Sequence, residues 1–191
     1  MHRVRFGLVV VAALSVFALK MHAQTDSGRV HFTATAVNME APTGMVAMPL
    51  DIVLERWSND QERDQVMNAM LEGAPGKLLD VIRHLPRIGG LHSPGTVGWD
   101  LRYARHAVGT DGRDRITILT DRPISFGEMR DQPRTIDYPF TVIELRIGSN
   151  GKGEGQLTIG TKITMDKATG TLILENYNIQ QVALNNVQRE K

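Results

Sequence analysis

His92, Asp100 and His106 are the residues whose types best suit catalysis. An imidazole titrates near neutrality and a carboxylate can orient it, so two histidines and an aspartate suit a general-base step or a metal ion. Asp100 and Arg102 precede His106 by even spacings, which place all three on one face of an extended strand. His92 approaches that face across a turn centred on Ser93-Pro94-Gly95. Isolated His and Asp on a wet strand face are nevertheless ordinary surface residues. His31 and His84 add no His-x-x-x-His or Glu-x-x-His spacing, so no local metal motif is visible and no metal is assigned. Ser93 and Ser125 lack the Gly-x-Ser-x-Gly setting of a nucleophile elbow. The chain has no cysteine, which removes disulfides, zinc-thiolate sites and a thiol nucleophile. Nothing in these residues calls for a cofactor. The chemistry favours a non-enzymatic protein, with two alternatives: a hydrolase or metal-assisted enzyme built on His92, Asp100 and His106, and a structural protein-interaction module that docks through exposed strand edges or the Asp121–Asp137 loop.

Gly151-Lys152-Gly153-Glu154-Gly155 has the glycines of a phosphate cradle but no Gly-Lys-Ser/Thr ending and no following helix, and it adjoins the hairpin dipeptide Asn150-Gly151. The connection Asp121–Asp137 is longer than a hairpin needs and carries mixed charges around Phe126 and Met129, the composition of a pinned surface loop or a docking loop. The strongest binding candidate is apolar. Met67, Met70, Leu78 and Ile82 from a helix pair, with Phe140 and Val142 from a strand, can line a pocket in which methionine adapts to a guest. Trp99 and Tyr103, on one strand face, can stack on the same ligand. These residues also suit ordinary core packing.

The segment 1–23 reads as a secretory signal: Arg3 and Arg5 precede an apolar run from Phe6 to Leu19, and Ala23 offers a small residue at the cut. As a helix that run spans about 21 Å, short of the roughly 30 Å hydrocarbon core of a bilayer, so cleavage rather than anchoring is expected. No later run has the length of a transmembrane helix. The whole chain balances 22 Lys+Arg against 21 Asp+Glu, and losing Arg3, Arg5 and Lys20 turns the remainder acidic. A nucleic-acid partner is therefore not expected. An exported protein of the periplasm or medium is, with an apolar small molecule or an envelope protein as its partner.

The elements that must position the candidates follow from periodicity. Val30, Phe32, Ala34 and Ala36 alternate with polar residues, as do Leu50, Ile52 and Leu54, giving two strands. Ser58 and Gln61 have capping-box spacing ahead of a helical stripe of Val66, Met67, Met70 and Leu71, which Gly73 stops. Leu78, Leu79, Val81, Ile82 and Leu85 form a second helical stripe ended by Pro86. Val97 to Ala104 alternates as one strand. Asp111-Gly112 and Asn150-Gly151 then mark hairpins in an antiparallel meander. Phe140 and Val142 oppose Ile143, Leu145 and Ile147, so that strand is covered on both faces.

The stretches ITILTDRPISFGEMRDQPRTIDYPFTVIELRI, GKGEGQLTIGTKI and LILENYNIQQVALNNV resemble an uncharacterised family of secreted bacterial proteins. The resemblance implies no activity, cofactor or site. The expected architecture is α+β: residues 24–191 form one β-rich domain with a strongly curved antiparallel sheet of seven to eight strands, half-barrel or barrel-like. A helix pair is inserted after strand 2 and lies over the concave face, with a barrel closed without the helices as the alternative.

Overall fold

The computed structural model describes residues 28–38, 46–74, 76–122, 140–166, 171–176 and 181–190. The chain runs β1 (Val30–Asn38), β2 (Val46–Leu54), α1 (Asp60–Glu72), α2 (Lys77–His84), β3 (Gly89–His92), β4 (Trp99–Leu101), β5 (Tyr103–Val108), β6 (Asp114–Leu119), β7 (Phe140–Ile147), β8 (Lys152–Asp166), β9 (Thr171–Asn176) and β10 (Gln181–Arg189). The strands form one antiparallel sheet with the path β4-β3-β2-β1-β10-β8-β7-β6-β5, and β9 pairs with β8 off this path. The path thus holds nine strands rather than seven to eight. The helix pair does follow the second strand. Residues 1–23, expected to be a signal, and most of the 121–137 connection lie outside the described residues. Among those described, no helix is long and apolar enough to cross a membrane.

The two ends of the path, β4 and β5, are consecutive in the chain and separated only by Arg102. The sheet must therefore curl until its ends meet, and it makes a nearly closed barrel. Ile88 N–H donates to the Leu101 carbonyl, whereas Arg102 N–H donates to that of Leu119, so one bent segment passes from β3 to β6. The bend changes the alternation. Leu101 belongs to the barrel core, but Tyr103, two residues on, packs with the helices. A single strand over Val97–Ala104 would have kept Trp99, Leu101 and Tyr103 on one face.

Curvature comes from bulges and from strand glycines. The β1–β10 and β10–β8 registers shift at Thr33/Thr35 and Leu184/Val187, and Asn186 takes a left-handed φ of 52° there. A β-carbon on Gly89 would run into the Val53 carbonyl oxygen of the neighbouring strand, so β2 and β3 approach as closely as they do only because the residue is glycine.

Two separate apolar clusters result. One gathers side chains from all nine strands of the path, among them Phe32, Ile52, Leu91, Leu101, Ile118, Ile143 and Leu184, and fills the barrel interior. The other joins the helices to Tyr103, Leu119, Phe140 and Val142. On β7 the two sets alternate: Ile143, Leu145 and Ile147 point inward, and Phe140 and Val142 point outward. The helix pair consequently covers the outer, convex face of β5–β8 rather than the concave face. The concave face is already occupied by side chains of the strands themselves.

Candidate functional site

The outer apolar layer is built from the sheet upward. Tyr103 pairs with Leu119, and Leu119 with Val142, so three cross-strand neighbours make a continuous apolar row over β5, β6 and β7. Phe140 extends the surface along β7, and Ile163 of β8 packs at its margin. Val66, Ala69 and Met70 of α1 and Leu78, Leu79 and Ile82 of α2 cover it. Burial raises the pKa of the Tyr103 phenol.

Polar groups fix the start of α1 over this layer. Asn59, not Ser58, is the N-cap: its side chain accepts from Glu62 N–H, and the Glu62 carboxylate accepts from Asn59 N–H at 2.9 Å. The same carboxylate accepts both terminal nitrogens of Arg56, at 2.7 and 2.9 Å. Arg56 holds the Glu62 carboxyl below its ordinary range; burial opposes this and Asn59 N–H adds to it. Ser58 instead works in the seam, where its N–H donates to the Ala104 carbonyl and its hydroxyl oxygen accepts from Ala104 N–H at 3.1 Å. Arg105 donates to the Ser58 carbonyl and to Asp60, each at 3.0 Å. Arg56, from the connection between β2 and α1, and Arg105, from β5, thus grip the first turn of α1.

Of the apolar candidates, Met70, Leu78, Ile82, Tyr103, Phe140 and Val142 come together in this layer, with Met67 partly buried against it. Trp99 does not join them, because it lies before the bend at Arg102 and packs on the barrel core. The polar candidates take separate partners. Asp100 accepts from Arg87 at 3.0 Å and pairs with Arg102 at 3.5 Å, and Arg87 also reaches Glu55 at 2.6 Å. His92 stands on the outer face of β3, opposite Asp51 in register, with its ring against Gly90 and Gly98. Asp51 itself bonds His31 at 3.0 Å. His106 shares the inner face with Ala104 and Ile116, where it meets Asp114 at 3.3 Å and the Trp57 ring at a centroid distance of 4.6 Å. Among the described residues no group of three or more His, Cys, Asp or Glu could hold a metal ion. Lys152, Gly153 and Glu154 line an open surface hollow with Arg113, which is paired with Glu154 at 3.2 Å.

The clamps escaped the sequence reading. Arg56 and Glu62 are separated by a turn and a helix cap, and no periodicity links them. The one available signal was Asn59 followed by Glu62, a capping box shifted by one residue from the Ser58–Gln61 spacing. No protein-family model, curated protein or solved structure matches the chain.

Proposed function

We propose that the protein is an exported, non-enzymatic binding protein whose ligand, an apolar small molecule, lodges between the helix pair and the outer face of β5–β8. The observation that carries this reading is the second apolar layer. The barrel has a core of its own, so the layer beneath the helices is apolar surface that barrel closure does not require. Met67 and Met70 lie at its helix side and supply adaptable, polarisable contacts. Native mass spectrometry of the full chain, purified from its native envelope without detergent, tests the reading. The expected result is a co-purifying apolar species that added long-chain fatty acid displaces. Neither a bound species nor uptake of the fatty acid would contradict it.

A second reading, docking of an envelope protein, is favoured by the opposite side of the barrel. There Pro49, Thr35 and Asn185 lie in one cross-strand row, and Ala47, Val37 and Ala183 in the next. All six are half-buried or exposed, uncharged and away from the helix pair. Photocrosslinking from position 35 would recover one specific neighbour on this reading and only abundant bystanders otherwise.

A further inference from the structure

We infer that the helix pair is a lid that opens as a unit while the barrel beneath it stays folded. The inference deepens the ligand-binding reading, since it supplies the room a guest needs, but its test does not depend on any ligand. It rests first on topology. The helices are an excursion between β2 and β3, which pair with each other directly, and the ends of the excursion touch: Glu55 N–H donates to the Ile88 carbonyl at 2.8 Å. Lifting the insert breaks no strand pairing.

Packing points the same way, because no helix residue belongs to the barrel core and no barrel-core residue belongs to the helix layer. The moving body is bounded on both sides. Ser58 is bonded to Ala104 on one side and Ile88 to Leu101 on the other, so the connections that bend are Asn59 and the segment from Leu85 to Arg87. What keeps the lid shut is the apolar layer together with the grips of Arg56 on Glu62, of Arg105 on Asp60 and of Arg102 on the Leu85 carbonyl. Cooperative units that open below the global stability of a protein commonly coincide with such supersecondary pieces.

Native-state hydrogen exchange of the full chain, with two variants, tests this. Ile52 is fully buried in the barrel core. Ile52→Val destabilises the barrel whether the lid is open or closed, so it should speed exchange of β1, β2 and β10 about fivefold and leave the amides of α1 and α2 unchanged. Glu62→Gln keeps a capping side chain but removes the charge that Arg56 grips. Helices of 13 and 8 residues do not hold their own hydrogen bonds once lifted off the apolar layer, so this variant should speed exchange of α1 and α2 about tenfold. Equal acceleration of helices and strands by Ile52→Val would show a single cooperative unit and overturn the inference, as would helix amides indifferent to Glu62→Gln. A protein that passes this test and takes up no apolar molecule has the lid without the ligand, so the two failures are distinguishable.

Discussion

Glu62 is the residue on which most separate requirements converge. It caps α1, faces two nitrogens of Arg56, and sits in a buried position. Its carboxyl is depressed below the ordinary range, first by Arg56. A depressed carboxyl contributes stability that is complete above its unfolded-state pKa, near 4.3, and is lost as pH falls through the folded value. Glu62→Gln should therefore lower stability by about 1.4 kcal/mol at pH 7, and the difference from the parent should shrink once pH drops into the carboxylate range. Urea midpoints of both proteins at neutral and acid pH measure this; a difference independent of pH would mean that the charge on Glu62 is irrelevant. His106 illustrates the limit of reading single residues. Its type and spacing suggested Asp100 as its partner, yet the partner is Asp114 across the β5–β6 hairpin, because His106 faces inward while Asp100 faces out.

At the scale of elements, local chemistry was legible where one turn or one period decides. Asp111-Gly112 and Asn150-Gly151 do turn the chain: Gly112 and Gly151 have φ of 73° and 77°, and Gly109 and Gly148 N–H donate across the turns to Arg113 and Lys152. The alternations of β1 and β2 likewise predict which residues point inward. β3 was missed because Gly89-Gly90-Leu91-His92 has too few side chains to show a period, and the bend at Arg102 was missed because the alternation runs smoothly through it in sequence. The glycines of β3 are nevertheless informative. In an ordinary strand, Gly→Ala gains about 0.5–1 kcal/mol. At Gly89 the new β-carbon meets backbone atoms of Val53 and Leu54, which cannot swing aside as a side chain can. Gly89→Ala should cost about 3 kcal/mol instead, read as a lower denaturation midpoint. A neutral or stabilising result would mean that β2 and β3 are less closely apposed than described.

For the whole molecule, alternation along β7 revealed two buried faces but not which of them is enclosed. That depends on closure, a property of the whole sheet path, and only the meeting of β4 and β5 settles it. Closure places the apolar candidates outside the barrel, under a removable pair of helices, and it separates Trp99 from Tyr103. The proposed function therefore comes down to one physical condition: an apolar molecule would be held on the convex side of a filled barrel, beneath the lid. Photolabelling of the full chain with a diazirine-bearing long-chain fatty acid, followed by peptide mapping, tests it most directly. Adducts are expected on α1, α2 and the Phe140–Val142 segment, and unlabelled fatty acid should suppress them. Adducts concentrated on the outer faces of β1, β2 and β10, or none that competition removes, would contradict it.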